Sequence, residues 1–313
     1  MNKILIVMLN PAVDVTLSFD GFEKSKTNRT TDEISSLGGK GLNVSLVSKS
    51  FGLDVCLAGF IGKDRKEELS SVLKDNEIEN AFVEVCGKTR TNFKLLDTKE
   101  NSITEANGQG FCVTDEDLSK ISDVISKKLA EAEILVLTGS LPKGVNSDFY
   151  AKCVEMANEK GVKTILDASG KALKMAIDKK PFAIKPNIEE LCEYFGEEIK
   201  DEKEIVCKVK DLLSSGIDTV CVSLGKDGAI LAKGESIYRA KTFPVEVKST
   251  VGAGDSMVGA MCYAITNGLD LEKSLKLMVS AGCKTSSKKG TELCKKDEVF
   301  DSEKKVKTQE LVL

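Results

Sequence analysis

A glycine-rich loop followed by an acidic residue is the part of this sequence best suited to chemistry. Thr250-Val251-Gly252-Ala253-Gly254-Asp255-Ser256 precedes a run of small residues, Met257–Ile265, that is typical of a helix. Glycines allow close approach of the backbone, and a helix N-terminus presents unpaired N–H groups to an anion. We expect the amides of Gly252–Gly254 to stabilise a phosphoryl group, and Asp255 to accept a proton from an adjacent hydroxyl. The alternative is that Asp255 only caps the helix.

A second glycine-rich stretch, Leu37-Gly38-Gly39-Lys40-Gly41-Leu42-Asn43, also leads into a predicted helix. It lacks the G-x-x-x-x-G-K-[ST] spacing of a P-loop. Its glycines would let the backbone approach a ligand, to which Lys40 and Asn43 could donate hydrogen bonds. The alternative is a tight turn in which Asn43 caps the helix.

Two further stretches directly follow apolar strand-like runs, at the sheet edge where ligands bind in parallel α/β folds. The first is Thr138-Gly139-Ser140-Leu141-Pro142-Lys143-Gly144, although Gly-Ser-x-Pro is also common in turns. The second is Lys185-Pro186-Asn187-Ile188-Glu189-Glu190. Asn187 and Glu190 have the spacing of a capping box. The cap is compatible with two functional roles. Lys185 could bind a phosphate, and Glu190 could bind a water molecule of a Mg²⁺ ion.

The composition excludes several classes of site and partner. The 313 residues contain no histidine, which excludes Ser-His-Asp and Cys-His catalysis and His-ligated zinc. None of the ten cysteines forms a C-x-x-C pair, so we expect no zinc ribbon. A net charge of −4 gives no reason to expect nucleic acid or an anionic membrane as partner. The apolar run Ile4–Leu9 is too short for a signal peptide or a membrane span, so we expect a cytoplasmic protein.

Apolar strand-like runs alternate with helical patterns along the chain. The predicted strands are Lys3–Leu9, Val55–Ile61, Ile134–Leu137, Thr164–Leu166, Phe182–Ile184 and Thr219–Leu224. The predicted helices are Asn43–Phe51, Glu67–Asn76, Asp115–Glu131, Asp148–Lys160, Ile188–Phe195 and Glu202–Ser215. Such alternation predicts an α/β fold with a mainly parallel sheet and helices on both faces.

Two segments interrupt this alternation and predict a small separate sheet. Residues at about 10–37 and 83–107 are polar or alternating in pattern and carry no helix signal. Inserted into a single domain spanning 1–313, they could form a lid. Alternation places Arg90, Asn92 and Lys94 on one face of a lid strand, as donors to a ligand or as a solvated face. The apolar side of such a lid needs covering, and we expect a homodimer formed through it.

In this order, the motifs resemble the ribokinase-like (PfkB) carbohydrate kinase family over essentially the whole chain. The most specific element is Thr250–Asp255, and Gly38–Asn43 is the second. The resemblance implies a Rossmann-type sandwich with a β-sheet lid, and ATP and Mg²⁺ as cofactors. Asn10-Pro11-Ala12-Val13-Asp14 and Thr89-Arg90 are similar to the branch of the family that phosphorylates sugar phosphates.

The resemblance also implies roles for individual residues. Asp255 would be the general base, and Gly252, Ala253 and Gly254 would form the anion hole. The residues that would bind the sugar phosphate are Asp14, Arg29, Gly39, Lys40, Asn43, Arg90, Asn92 and Ser140. The residues that would face ATP are Lys185, Asn187, Ser223, Gly225, Gly228 and Gly282, with Glu190 helping to place Mg²⁺.

Two departures from the family pattern concern the sugar-phosphate side. Family members often carry a second basic residue near Arg29, where this chain has Lys26 and Thr27, so the assisting cation stays open. Asn107-Gly108-Gln109-Gly110 replaces a proline-containing run and receives no role.

The Thr-Arg-x-Asn-x-Lys pattern at 89–94 resembles the branch of the family that acts on fructose 1-phosphate. This resemblance implies conversion of fructose 1-phosphate to fructose 1,6-bisphosphate, with tagatose 6-phosphate as the alternative substrate. A non-catalytic sugar or nucleotide sensor is an alternative of a different class, although Asp255 and the glycines of its loop are present. A dehydrogenase is excluded because Asn10-Pro11, and not G-x-G-x-x-G, follows the first strand. Lys40 and Arg90 argue against a nucleoside or an unphosphorylated sugar, since a neutral substrate does not require their charge.

Overall fold

Fourteen strands and ten α-helices make up the parts of the chain, residues 3–100 and 102–311, that the computed structural model describes. The strands are β1 (Lys3–Met8), β2 (Ala12–Phe19), β3 (Asp32–Gly38), β4 (Asp54–Gly62), β5 (Glu79–Val85), β6 (Arg90–Asp97), β7 (Ser102–Asn107), β8 (Ile134–Thr138), β9 (Lys163–Asp167), β10 (Ala183–Ile184), β11 (Thr219–Ser223), β12 (Ala229–Lys233), β13 (Ser236–Lys241) and β14 (Lys307–Glu310). The helices are α1 (Lys40–Ser50), α2 (Lys66–Asp75), α3 (Asp115–Leu129), α4 (Phe149–Glu159), α5 (Gly170–Ile177), α6 (Ile188–Phe195), α7 (Glu202–Ser214), α8 (Ala253–Thr266), α9 (Leu271–Ser286) and α10 (Lys296–Ser302).

The larger sheet has ten strands in the order β14-β13-β12-β11-β10-β9-β8-β1-β4-β5. The seven strands from β11 to β5 run parallel, and β12, β13 and β14 extend the sheet in antiparallel fashion at one edge. The predicted α/β fold with a mainly parallel sheet is confirmed. No helix in the described ranges is long and apolar enough to cross a membrane.

Alternate residues of the central strands face two separate cores. In β1, Leu5 and Val7 belong to one core, whereas Ile4 and Ile6 belong to the other. Helices α3 to α7 cover the first core, and α1, α2, α8, α9 and α10 cover the second. Because the strands are buried on both faces, they appear in the sequence as continuous apolar runs rather than alternating ones.

The smaller sheet has four strands in the order β3-β2-β6-β7, with β2 and β6 parallel and the outer pairs antiparallel. Its strands come from the two segments predicted to form a lid. One boundary differs from the prediction: residues 83–85 complete β5 and pair with Phe60–Gly62 of the larger sheet. Strand β6 of the smaller sheet begins only at Arg90, so the second segment of this sheet is shorter at its N-terminal side than the predicted 83–107.

Candidate active site

The loop at 250–255 turns into the N-terminus of α8 as the sequence predicted. Gly252 occupies the N-cap position with φ of 75°, a left-handed conformation that glycine adopts without steric cost. Gly254 and Asp255 follow in the first helical turn, where backbone N–H groups have no partner within the helix. A methyl group placed on Gly254 would lie 3.5 Å from Nζ of Lys185, so an ammonium group stands directly beside these amides. Backbone dipoles and a lysine therefore converge on one point suited to an anion.

The carboxylate of Asp255 is buried at this point, with 7% of the residue exposed. Asn43, in the first turn of α1, donates a hydrogen bond from Nδ2 to Oδ2 of Asp255 at 2.8 Å. Burial and the nearby Asp167 raise the pKa of Asp255 to about 6, against the opposing effects of Lys40, Asn43 and Lys185. A carboxyl with such a pKa is ionised near neutral pH and is a stronger base than an exposed aspartate, which suits proton transfer.

Asp167 is a buried acidic residue that the sequence analysis did not single out. It ends β9, and its carboxylate lies 3.0 Å from Nζ of Lys185 and 3.3 Å from Nζ of Lys40. The Oγ1 hydroxyl of Thr138 donates a hydrogen bond to Oδ2 of Asp167 at 3.1 Å. Burial alone would raise the pKa of Asp167, but the two lysines hold it at about 2. Asp167 thus stays ionised and fixes both ammonium groups beside Asp255.

A cavity of about 260 Å³, here called the inner cavity, opens beside this group. Lys40, Arg90 and Ser140 line it, together with Asn10. The loop that carries Ser140 is supported by Tyr150, whose buried hydroxyl donates to the carbonyl oxygens of Thr138 and Gly139 at 3.0 and 3.1 Å.

Hydrogen bonds orient polar side chains in the inner cavity, which Asn10 and Ser140 line, and on the paired strands β2 and β6, where Asp14 and Asn92 lie outside its lining. Two acceptors stay unused. Asn10 donates from Nδ2 to Oγ of Ser140 at 3.1 Å, and Asn92 donates from Nδ2 to Oδ1 of Asp14 at 3.0 Å. The Oδ1 atoms of Asn10 and Asn92 are buried and have no partner among the described residues. A buried acceptor without a partner is costly, and a ligand hydroxyl would satisfy it. Asn10 is therefore a second residue that the sequence analysis left without a role.

The remaining residues predicted on the sugar-phosphate side occupy different positions. Gly39 precedes α1 at its N-cap, and Arg90 donates from its guanidinium to the backbone carbonyl oxygens of Asn10 and Pro11 at 3.1 and 3.4 Å. Burial lowers the pKa of Arg90. Arg29 lies in the exposed connection between β2 and β3 and lines neither this cavity nor the one described next.

A second cavity, of about 550 Å³, lies on the other side of the α8 N-terminus and is here called the apolar cavity. Phe243, Pro244, Val245 and Val279 contribute apolar walls. Five residues predicted to face ATP line this cavity, together with Ala253 and Gly254: Asn187, Ser223, Gly225, Gly228 and Gly282. The sixth, Lys185, does not line this cavity; its Nζ lies beside Gly254 and 3.0 Å from the carboxylate of Asp167.

Glu190 and the residue with which it forms a helix cap line different cavities. Glu190 lines the inner cavity, whereas Asn187, three residues earlier, lines the apolar cavity. The two residues form the predicted capping box of α6: Oδ1 of Asn187 accepts from the Glu190 N–H at 2.7 Å, and Oε2 of Glu190 accepts from the Asn187 N–H at 2.9 Å. A carboxylate offers about four lone pairs, so this cap leaves Glu190 able to bind a further donor or a cation.

The geometry therefore brings together the buried carboxylate of Asp255, the N-terminus of α8 and a fixed pair of lysines. Gly254 of this group lines the apolar cavity and Lys40 lines the inner cavity. Such a site can take a proton from a hydroxyl group in the inner cavity. It can also stabilise the negative charge of a phosphoryl group that passes between the two cavities.

Comparisons with known proteins agree with this chemistry. Residues 7–298 match the pfkB family of carbohydrate kinases. A 1-phosphofructokinase of Bacillus subtilis is 38% identical over 291 residues, which cover 92% of this chain and 95% of that protein. A tagatose-6-phosphate kinase of Staphylococcus epidermidis is 33% identical, covering 87% and 88% of the two chains. Among solved structures, phosphofructokinase-2 from Escherichia coli in complex with substrates and products superposes with a TM-score of 0.89 at 28% identity, covering 97% and 99%.

The prediction of an ATP-dependent sugar-phosphate kinase is confirmed by the family match and by these relatives. The match includes Gly38–Asn43 and Thr250–Asp255, the two motifs on which the prediction rested. The chain belongs to the pfkB family of carbohydrate kinases.

Proposed function

We propose that this protein transfers the γ-phosphoryl group of ATP to O6 of fructose 1-phosphate, giving fructose 1,6-bisphosphate and ADP. The observation that carries the proposal is the buried carboxylate of Asp255, which has a raised pKa. Its chain neighbour Gly254 lines the apolar cavity, and Lys40, whose charge acts on the pKa of Asp255, lines the inner cavity. A sugar in the inner cavity would present one hydroxyl to this carboxylate. ATP would occupy the apolar cavity, with its phosphates directed toward the α8 N-terminus.

The reaction requires one proton transfer and one exchange of bonds at phosphorus. Asp255 accepts the proton of the attacking hydroxyl, whose oxygen forms the new bond to the γ-phosphorus. The bond from this phosphorus to the oxygen that bridges it to the β-phosphate breaks, and ADP leaves with that electron pair. The N–H groups at Gly252–Gly254 and the ammonium of Lys185 stabilise the charge on the transferring group, since phosphoryl transfer depends chiefly on positioning and electrostatics.

The donor set between the cavities fits a Mg²⁺ ion that arrives with ATP. Mg²⁺ in kinases is commonly held by one or two carboxylates, by substrate phosphates and by water. Glu190 offers a carboxylate that lines the inner cavity, and its cap to Asn187 uses only part of its acceptor capacity. Glu190 would hold the ion through a water molecule. When bound, the ion would neutralise charge on the β- and γ-phosphates.

Two features support a sugar that already carries a phosphate. Arg90 brings a permanent positive charge into the inner cavity, which a neutral sugar does not require. In addition, the relatives at 33–38% identity include proteins named as a 1-phosphofructokinase and as a tagatose-6-phosphate kinase. The Thr89-Arg90-Thr91-Asn92-Phe93-Lys94 pattern favours fructose 1-phosphate, and tagatose 6-phosphate is the second candidate.

A coupled ADP-release assay tests the proposal by comparing fructose 1-phosphate, fructose 6-phosphate and tagatose 6-phosphate with Mg²⁺ present. We expect the highest kcat/KM with fructose 1-phosphate. A higher value with tagatose 6-phosphate would replace the proposed substrate and leave the kinase assignment intact. Absence of ADP release with all three sugars would contradict the sugar-phosphate proposal.

We also propose that two copies of the chain associate through their lids. Four of the six large apolar side chains that are exposed in the described ranges belong to the lid segments: Phe22, Ile34, Phe93 and Ile103. By strand register Ile34 and Ile103 share one face of the smaller sheet and Phe93 lies on the other. Exposed apolar side chains gathered on one small sheet are typical of a part of the surface that another chain covers. Light scattering at micromolar concentration tests this proposal, and a monomeric mass would contradict it. Phe93→Ser should shift the equilibrium toward monomer.

A further inference from the structure

The inner cavity continues past Arg90 and Ser140 into an open cleft that is also lined by residues without a predicted role. This outer cleft, with a volume of about 550 Å³, is bounded by Gln109 and Lys143 and shares Asn10, Arg90 and Ser140 with the inner cavity. A fructose 1-phosphate molecule with O6 at Asp255 would direct the phosphate at its other end away from α8. The outer cleft is the space that continues in that direction.

Three cationic side chains line the two connected cavities, and they differ in how many contacts they already make within the protein. Lys40 is already paired with Asp167 at 3.3 Å. Arg90 has turned part of its guanidinium toward two backbone carbonyl oxygens. Lys143 is the third cation that lines these spaces, and it is exposed and forms no ion pair with any residue in 3–100 or 102–311. A phosphate dianion in the outer cleft would therefore find in Lys143 the cation with the fewest existing contacts.

The backbone beside this lysine is held firmly in place. The carbonyl oxygen of Lys143 accepts a hydrogen bond from the Val113 N–H at 2.8 Å, and Lys143 pairs with Cys112 in an isolated β-bridge. On the facing side, a methyl group placed on Gly110 would lie 2.9 Å from Cβ of Arg90, so the loop carrying Gln109 packs closely against β6. The Lys143 side chain thus extends from a fixed point at the mouth of the cleft and stays free to reach a ligand.

We propose that Lys143 is a specificity-determining residue that binds the phosphate which the sugar substrate carries before the reaction, on the side of the cleft away from Asp255. Gln109 would add a neutral amide donor to the same phosphate. The proposal rests on the proposed function, because it needs a phosphorylated sugar with its acceptor hydroxyl at Asp255. It assigns recognition of the substrate phosphate to Arg90 and Lys143 together, and it gives the Asn107–Gly110 run a purpose that its unusual sequence did not reveal.

Steady-state kinetics with Lys143→Gln, Lys143→Arg and a control, Lys127→Gln, test the proposal. Lys127 is exposed near the C-terminal end of α3 and lines none of the three cavities described above. A lysine at the rim of an open cleft is partly screened by solvent, so we expect Lys143→Gln to raise KM for fructose 1-phosphate by about 5-fold. kcat and KM for ATP should change by less than about 2-fold, because Lys143 does not contact the reacting atoms. Lys143→Arg keeps the charge and should stay close to wild type, as should the control.

Two comparisons separate charge recognition from a merely structural effect. The difference in KM between wild type and Lys143→Gln should shrink as NaCl rises from about 0.05 to 0.5 M, because salt screens exposed charges. With unphosphorylated fructose at high concentration, the two enzymes should have equal kcat/KM. An unchanged KM for fructose 1-phosphate in Lys143→Gln would overturn the proposal, and so would an equal loss with fructose.

The same measurements distinguish an error in the role of Lys143 from an error in the proposed function. If wild type turns over fructose 1-phosphate and Lys143→Gln matches it, only the role of Lys143 is wrong. If wild type prefers another sugar phosphate, the substrate proposal is wrong, and the same variants measured with that sugar decide the role of Lys143. If wild type phosphorylates no sugar phosphate, isothermal titration with inorganic phosphate tests whether Lys143 binds phosphate. Equal affinity for phosphate in wild type and Lys143→Gln would overturn the role proposed for Lys143.

Discussion

Replacing Asp255 with asparagine should destroy activity and at the same time make the protein more stable. The amide keeps the size of the side chain and can still accept the hydrogen bond from Asn43, but it cannot take a proton. Loss of a general base typically lowers the rate by about 10²–10⁴-fold. We therefore expect kcat of Asp255→Asn to fall at least 100-fold, while KM for ATP changes little.

The gain in stability follows from the raised pKa of Asp255. In the unfolded chain an aspartate has a pKa of 3.8, and in the folded protein burial raises it to about 6. The folded state thus binds the proton more tightly, so this group lowers the free energy of unfolding as pH rises from about 4 to 6. At pH 8 the ionised carboxylate costs about 3 kcal/mol, and at pH 4.5 it costs about 1 kcal/mol. The variant should be more stable than wild type by up to these amounts.

Urea unfolding at pH 8 and pH 4.5 measures this difference, alongside kcat from ADP release. Asp201→Asn is the matched control: Asp201 caps α7 through a hydrogen bond of 2.9 Å from the Glu204 N–H, and asparagine caps about equally well. Its free energy of unfolding should change by less than about 0.5 kcal/mol. The reasoning is refuted if Asp255→Asn keeps more than about a third of wild-type kcat, or if it is no more stable than wild type at pH 8.

Three further predictions concern the ion, the substrate phosphate and the lid. Glu190→Gln can still cap α6, so its free energy of unfolding should change by less than about 1 kcal/mol, while the Mg²⁺ concentration for half-maximal rate should rise several-fold; an unchanged Mg²⁺ dependence would remove Glu190 from the ion. Arg90→Ala should lower kcat/KM for the sugar phosphate by about 10- to 100-fold, since a hydrogen bond to a charged group contributes about 1.5–3 kcal/mol; a change below 3-fold would show that Arg90 does not contact the phosphate. Amides of β2, β3, β6 and β7 should exchange hydrogen more slowly with sugar phosphate bound, with α7 as an unaffected reference, and equal exchange would argue against a closing lid.

Much of the fold could be predicted because its central strands are buried on both faces. Such strands appear as short apolar runs, and all six predicted runs are strands of the larger sheet. Helix α9, in contrast, was missed because Ser280 and Gly282 interrupt its apolar pattern, although both lie inside the helix. Ser280 is buried there because it donates to the carbonyl oxygen of Val299, a tertiary contact that no local pattern indicates. Strand β5 was missed because it lies at the sheet edge and carries polar residues.

The candidate site was predictable where a motif lies within a few consecutive residues, and it was not where the partners are distant. Gly252–Asp255 and the capping box of Glu190 are local patterns of this kind. Asp167 belongs to the site because it pairs with two lysines, which lie 127 and 18 positions away in the chain. One signal was available: an aspartate at the carboxyl end of a buried strand is placed where ligands bind in parallel sheets. Asn10, at the end of β1, carried the same signal.

The contact between Asn43 and Asp255 joins residues that are 212 positions apart, and this separation has a consequence for biosynthesis. Bringing such distant residues together requires closure of a very long loop, and contacts of this kind slow the folding of a chain. Asp255 and its loop are synthesised only after about four-fifths of the chain has been made. A fragment that ends before residue 250 therefore lacks Asp255 and the glycines of its loop. Such a fragment has neither the carboxylate nor the backbone amides on which the proposed phosphoryl transfer depends.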